Sequence, residues 1–310
     1  MDISVIIPNY NGENLLKENL GRVYQEVAAY KLGEAEIIVV DDGSSDGSVN
    51  FLNEFSKTHR NFKVLVGDKN LGFAPTVNKG VSAAKGEVVI LLNTDVCPEK
   101  GFLEPLLKHF SDPKVFAVGC LDKSIEGDKV TLRGRGLGEW KRGFLVHRRG
   151  EVNKANTLWV SGGSAAFRKS VWEKLGGFNE LYAPFYYEDI DLSYRALKAG
   201  FDVLFEPKSI VVHEHEKGAI KSKYSGFAIK TIAYRNQFIF VWENATDFSL
   251  RLTHVVWLPY HLAQALVRFD LAFYLGFFEA LILLPKIIIT SLIVKRQFIL
   301  SDKEVISKFK

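Results

Sequence analysis

Short apolar, β-branched runs alternate with helix-length stretches through the first hundred residues, and this alternation constrains the fold more than any other feature. Ser4–Pro8, Glu36–Val40, Phe62–Val66 and Glu87–Leu92 read as strands; Leu15–Tyr30, Val49–Thr58, Thr76–Ala84 and Gly101–Phe110 read as helices. The strand runs are nearly continuous in apolar residues, so both faces of their sheet should be covered. The pattern predicts an α/β fold with a mostly parallel central sheet flanked by helices. In such sheets ligands collect beyond the carboxyl ends of the strands. Polar clusters stand at three such ends, Pro8–Gly12, Asp41–Asp46 and Asn93–Asp95.

With 310 residues, 47% of them hydrophobic, the chain can build one large domain plus an appendage. A net charge of +4, with no basic stripe interleaved with aromatics in the first two-thirds, argues against nucleic acid as a partner. Cys97 and Cys120 give neither a disulfide framework nor a metal-ligand spacing. The opening run meets Pro8 without a basic flank, so it is expected as a strand and not a signal peptide. The chain lacks a G-x-x-x-x-G-K-[ST] loop, a G-x-G-x-x-G at its first strand–helix junction and a G-x-S-x-G elbow. Their absence argues against P-loop, dinucleotide-binding and α/β-hydrolase chemistry.

Two acidic sites carry the functional reading. Asp95 follows the run Val88–Leu92, where its carboxylate should emerge at the sheet's rim. A hard divalent ion takes one or two protein carboxylates there and completes its shell with phosphate and water, and Asn93 adds a neutral oxygen. Farther on, Glu188, Asp189 and Asp191 lie within four positions, after an aromatic cluster and before Arg195. Like charges this close need compensation or a use, and a helix N-terminus is one compensation. Asp41 and Asp42 can accept hydrogen bonds from a base or ribose, or cap the next helix through an Asx-turn. His213 and His215 should point to one face at the end of another strand, as a third metal ligand or as structural residues. The stretch Val115–Glu151, rich in glycine and basic residues, is expected as a solvated hairpin region, with a mobile wall near anionic phosphates as the alternative. A metal-holding site and a proton-accepting site together suggest group transfer from a metal-bound phosphate ester.

With these residues in place, the chain resembles the family-2 glycosyltransferases, which have a GT-A fold, over about residues 3–240. The resemblance rests on ordered motifs. They are Val5-Ile6-Ile7-Pro8-Asn9-Tyr10-Asn11, Val40-Asp41-Asp42-Gly43-Ser44, Asn70-Leu71-Gly72-Phe73 with Asn78-Lys79-Gly80, and Leu91-Leu92-Asn93-Thr94-Asp95. Later come Gly176-Gly177-Phe178-Asn179-Glu180, Glu188-Asp189-Ile190-Asp191-Leu192 with Arg195, and Ala199-Gly200-Phe201. The nearest subgroup resembles rhamnosyltransferase-like enzymes of surface polysaccharide assembly. The resemblance implies that Pro8, Tyr10, Asp41, Asp42, Asn70, Asn78, Asn93 and Thr94 bind a nucleotide-diphospho-sugar donor, with Asp41 the better candidate for the base. It implies that Asp95, helped by Asn93 or His213, binds Mg²⁺ or Mn²⁺ at the diphosphate. Asp189 would be the general base, with Glu188 as the alternative, and Trp159, Gly162, Gly163 and Arg195 would meet the acceptor. Asn93 departs from the family by replacing the first acidic residue of a D-x-D motif. The implied reaction is one in-line displacement with inversion. The rivals are a catalytically inactive, membrane-attached nucleotide-sugar-binding protein and a sugar-nucleotide pyrophosphorylase. The latter would want a glycine-rich basic loop where Pro8-Asn9-Tyr10-Asn11 stands.

After Arg235-Asn236-Gln237 the composition turns apolar. On one continuous helix, His261, Arg268, Glu279, Lys286 and Thr290 would form a narrow polar stripe, with Pro285 expected to kink or break it. Leu271–Val294 has the ~20-residue length of a bilayer span, but its two charges and proline favour helices lying in the membrane interface. Lys286, Lys295, Arg296 and Trp257 would anchor them. The expected organisation is a catalytic domain at residues 1–215, a helical connector at 216–250 and an amphipathic membrane-associated region at 251–310. A peripheral or monotopic place at the cytoplasmic face of the cell membrane suits a polyprenyl-diphosphate-linked saccharide acceptor. A true span or re-entrant hairpin and a dimerisation surface are the alternatives, and a homo-oligomer is left open.

Overall fold

The computed structural model describes residues 1–127, 129–213 and 223–309. The four strands read from the first hundred residues are present as β1 (Ile3–Asn9), β2 (Ala35–Asp41), β3 (Phe62–Val66) and β4 (Val88–Leu92). They pair in parallel in the order β3-β2-β1-β4. Alternation along each strand divides its side chains between two cores. Ile6, Ile38, Val40, Val89 and Leu91 enter one; Val5, Ile7, Ile37, Val39 and Ile90 enter the other. Helix α1 (Glu13–Ala28) joins the second core through Leu16, Leu20, Val23 and Val27, a spacing that places one apolar stripe on the sheet. Helices α2 (Ser48–Thr58) and α4 (Leu103–Leu107) lie on that side, and α3 (Phe73–Ala83), α5 (Lys169–Leu175) and α6 (Glu188–Lys198) on the other.

The sheet continues beyond β4 through β10 (Ser164–Arg168), β6 (Val115–Glu126), β11 (Asp202–His213) and β5 (Val96–Pro98), and β7 (Lys129–Arg133) pairs with β6. Among the described residues, six of its nine strands run the same way; β5, β7 and β10 oppose them. This corrects the expectation for Val115–Glu151. Val115–Cys120 is a buried central strand, and only β8 (Gly136–Lys141) and β9 (Phe144–Arg149) form a separate hairpin. Gly119 interrupts the apolar run, so its strand character depends on pairing with Ala165 and Phe205, far along the chain.

Helix α7 (Gly226–Asn244), within the stretch expected as a connector, buries Asn236, Phe238–Val241, Glu243 and Asn244. Helix α8 (Phe248–Val267) follows, and α9 (Leu271–Val294) packs along α7 through the small residues Ala272, Gly276 and Ala280. The continuous helix behind the proposed polar stripe does not exist. The chain breaks at Arg268–Asp270, where Phe269 has φ +53°, and His261 is thereby separated from Glu279 and Lys286. Pro285 does not end α9, which runs on to Val294. The chain then returns to α6. Ile299 and Leu300 donate their N–H groups to the Lys198 carbonyl at 2.8 and 3.0 Å. Asp302, opening α10 (Asp302–Ser307), pairs with the Lys198 ammonium at 2.7 Å, both fully buried.

Candidate active site

The carboxyl ends of β1, β4 and β11 meet the start of β10 and the N-terminus of α6 around a cleft of about 580 Å³. Pro8, Tyr10, Asp42 and Asn70 line one end. Asn93, Thr94, Asp95 and His213 come from the strand ends, and Gly162, Gly163, Glu188 and Asp189 complete the opposite wall.

Sheet register explains the Asp95 end. β5 runs antiparallel to β11 with Val96 opposite His213, which sets the preceding Asp95 beside the imidazole. His213 Nε2 lies 3.3 Å from Asp95 Oδ2, and its Nδ1 lies 2.9 Å from Asp122 Oδ2. Burial lowers the His213 pKa, but the hydrogen bonds to Asp122 and Asp95 outweigh it and raise the group to about 9. Asn93 donates its N–H to the Gly163 carbonyl at 3.0 Å, while its side-chain Oδ1 is buried without a hydrogen-bond partner. A Cβ on Gly163 would stand 2.4 Å from Asn93 Nδ2, so only glycine allows this approach. Among the described residues, no three His, Cys, Asp or Glu side chains cluster closely enough to hold a metal ion by themselves. His215 lies outside the described residues.

The Asp189 end depends on an unusual turn. Tyr186 and Tyr187, just before α6, have φ of +73° and +77°, a region that non-glycine residues seldom adopt. The fully buried Asn236 holds this segment: its amide donates to the carbonyls of Tyr182, Phe185 and Tyr186 at 3.1, 3.0 and 2.8 Å. The turn aims Asp189 at β10, where Oδ2 accepts the Gly162 N–H at 3.1 Å and Oδ1 accepts its neighbour's N–H, from Ile190, at 2.8 Å. Burial raises the Asp189 pKa against the pull of these two bonds. Burial, then repulsion from Asp189, raises Glu188 much further, and its Oε2 has no hydrogen-bond partner. Both carboxyls are thus raised, Glu188 further than Asp189, because Asp189 accepts two backbone N–H groups while Glu188 Oε2 has no partner.

At the other end, Asp42 accepts the N–H groups of Leu71 and Gly72 at 2.9 and 2.8 Å, which lays Asn70–Phe73 along the cleft. Gly72 has φ +98°, and a Cβ there would meet the Pro184 backbone at 3.0 Å. The Lys223 ammonium sits 4.3 Å from the centre of the Tyr10 ring.

Four expected contacts lie elsewhere. Asp41 is fully buried and spends its carboxylate on Asn9 Nδ2, Ser44 N and Ser44 Oγ at 2.7, 2.9 and 2.6 Å, which holds the turn before α2 but does not cap that helix, whose N-cap is Gly47. Asn78 clamps the glycine turn, exchanging hydrogen bonds with the Phe178 carbonyl and N–H at 2.9 and 3.0 Å. Arg195 is buried, pairs with Asp191 at 2.8 Å one helical turn away, and donates to the carbonyls of Leu175 and Gly177. Trp159 packs against the core and the His147 ring, outside the cleft lining. The cleft also recruits Asn9, Arg133, Phe185, Tyr186, Lys223 and Tyr224, none of them assigned from sequence. Asn9, Phe185 and Tyr186 adjoin assigned motifs, Arg133 belongs to the basic stretch weighed as a phosphate wall, and Tyr224 adjoins none. Lys223 had no local signal.

The model of the family described as "Glycosyl transferase family 2" matches residues 4–176. Pre-mycofactocin glycosyltransferase of Mycobacterium tuberculosis is 31% identical over 221 residues, which cover 69% of this chain and 43% of the relative. O-antigen chain rhamnosyltransferase RfbN of Salmonella typhimurium is 26% identical, over 69% of this chain and 67% of its own. This chain therefore spans less than half the length of the first of these relatives. Among solved structures, GalNAc-T7 with UDP, GalNAc and Mn²⁺ superposes with a TM-score of 0.65 at 20% identity, covering 78% of this chain and 48% of that one. Mannosyltransferase PcManGT from Pyrobaculum calidifontis, with GDP-Man and Mn²⁺, gives 0.57 at 18% identity, covering 94% and 86%. These structural likenesses establish a GT-A type fold. With a family model matching more than half of its residues, the chain belongs to glycosyl transferase family 2.

Proposed function

We propose that this protein is an inverting glycosyltransferase that moves a sugar from a nucleoside-diphosphate donor to a hydroxyl of a lipid-linked saccharide at the cytoplasmic face of the membrane. The observation that carries the reading is the opening of Asp95 and Asp189 into one cleft at the rim of the sheet.

In this reading Pro8, Tyr10 and Asn70 hold the nucleoside, and Asp42 acts partly by fixing the Asn70–Phe73 wall. Asp95 and the side-chain oxygen of Asn93 would hold a divalent cation, Mg²⁺ or Mn²⁺, which supplies charge stabilisation to the diphosphate, and His213 would join them on giving up the proton that its bonds to Asp122 and Asp95 favour. The unpartnered Asn93 oxygen suits a hard cation that keeps phosphate and water oxygens in its shell. The Mn²⁺ named for GalNAc-T7 and PcManGT favours the same chemistry.

Asp189 takes the proton of the acceptor hydroxyl as that oxygen bonds to the anomeric carbon. The bond from that carbon to the diphosphate oxygen breaks, its electron pair leaves with the nucleoside diphosphate, and the configuration inverts. Each Asp189 oxygen accepts one backbone N–H and keeps a lone pair for this proton. Burial and the neighbouring Asp189 push the Glu188 carboxyl well above the usual carboxylate range, which disfavours a second negative charge beside the base.

The C-terminal helices favour a membrane-bound acceptor. Val267, Phe269 and Ile282 are 78, 88 and 78% exposed, far beyond the scattered apolar surface of an ordinary soluble domain. Leu271–Gln297 is long and apolar enough to cross a membrane, yet its charges and proline favour the interface. The naming of RfbN as an O-antigen chain rhamnosyltransferase agrees with a saccharide acceptor in surface polysaccharide assembly.

Screening nucleotide-sugars with and without Mg²⁺ or Mn²⁺ for a rise in melting temperature tests the donor site. Transfer to a polyprenyl-diphosphate saccharide should then exceed transfer to the same free sugar. No cation-dependent shift with any donor, or a preference for the free sugar, overturns the reading.

A further inference from the structure

We propose that the groove enclosed by α7, α8 and α9 binds the headgroup of a membrane phospholipid of net negative charge, with Arg251 and Lys295 as its cations and the apolar mouth of the groove taking the lipid chain. The inference rests on the membrane-surface reading above and adds a defined anion site to it.

The groove has a volume of about 450 Å³. Its other polar groups are already committed to protein partners. Ser291 Oγ donates to the Glu243 carbonyl at 3.0 Å. Trp242 Nε1 can only donate, and it does so to His254 Nε2 at 3.0 Å. His254 therefore carries its proton on Nδ1, 2.8 Å from the Gly143 carbonyl, and burial lowers its pKa, so the ring is neutral. The groove's charge comes from Arg251 and Lys295.

Neither cation is in an ion pair among the described residues. Arg251 uses Nε to donate to the Ala245 carbonyl at 2.9 Å, which orients the guanidinium, and it makes no ion pair among the described residues. Lys295 closes α9 and has neither a side-chain hydrogen bond nor an ion pair among the described residues. Burial, followed by repulsion from Arg251 and Lys198, lowers its ammonium to about 8 despite Asp302 and Glu243. Two cations brought together in a partly desolvated groove form a site complementary to an anion.

The walls identify that anion as a lipid. Val255, Ile288 and Leu292 stand at the mouth, 65, 51 and 63% exposed, and continue the apolar surfaces of α8 and α9. A free phosphate gains nothing from such a rim, whereas an embedded lipid places its chain there and its headgroup against the cations.

Sedimentation of the full chain with vesicles of phosphatidylcholine, alone or with phosphatidylglycerol, tests this. The double variant Arg251→Gln/Lys295→Gln should lose the preference for anionic vesicles by ~10-fold or more while still binding neutral ones. Lys286→Gln/Arg296→Gln removes equal charge outside the groove and should lose markedly less; equal losses mean diffuse attraction and refute the site. Inorganic phosphate that abolishes the anionic preference at millimolar concentration marks a free-anion site and overturns the lipid assignment. A wild-type chain that binds neutral vesicles without any anionic preference refutes the groove alone. One that binds neither vesicle refutes the membrane reading as well. Melting midpoints confirm that both variants fold, and Arg251→Gln alone, with a several-fold loss, serves where the double variant does not.

Discussion

The Gly162 backbone N–H lies 3.1 Å from Asp189 Oδ2, joining the start of β10 to the first turn of α6. This bond and the one from Ile190 favour the ionised carboxylate while burial opposes it. Asp189→Asn keeps the shape and loses the base, so transfer should fall by at least ~100-fold while donor binding, read by melting shift, persists. Glu188→Gln removes a carboxyl whose charged form burial and Asp189 disfavour, and should retain most of the rate. The reverse pattern would reassign the base to Glu188. Because burial raises Asp189, the acid limb of kcat/KM against pH should lie above the ordinary carboxylate range.

Asn236 acts on the same carboxylate at a distance. Its amide satisfies three carbonyls of the turn that carries the left-handed Tyr186, so Asn236→Ala leaves buried acceptors unpaired. We expect a loss of at least ~2 kcal/mol in urea unfolding. In the folded fraction kcat should drop more than the donor KM changes. An unaltered kcat would mean that the turn holds itself.

The Lys198–Asp302 pair ties the final segment to α6. Asp302→Ala strands a buried ammonium and should cost ~3–5 kcal/mol by denaturant unfolding. For the same reason, truncation after Asp247 should give an unstable fragment, although the composition alone suggests a separable soluble domain. A truncated chain with a native unfolding midpoint refutes this.

Glu243 is buried near Asp191, and burial followed by that carboxylate pushes it up to about 8. A raised carboxyl contributes stability that is fully present below its unfolded pKa, about 4.5, and is lost as pH rises through about 8. Between those limits stability should decline by up to ~1.4 kcal/mol per pH unit. Glu243→Gln should flatten the slope in urea titrations at successive pH values, and an unchanged slope would assign it to other groups.

What the sequence determined is what short-range pattern encodes. The continuous apolar runs of β1, β2 and β4 required a covered sheet, and polar residues that follow them, among them Tyr10, Asp42 and Asp95, line the cleft at its rim. Asp95, Glu188 and Asp189 were legible because motif spacing survives without knowledge of distant contacts. Tertiary structure decided the rest. Asp41 and Asp42 are adjacent and chemically alike, yet Asp41 is consumed by Asn9 and Ser44 while Asp42 reaches the cleft. Arg195 resembled an acceptor contact until Asp191 and two carbonyls accounted for its donors. Val115–Cys120 became a strand only between β10 and β11. In each case the deciding hydrogen-bond partner comes from packing, and packing joins segments whose separation along the chain no local pattern records.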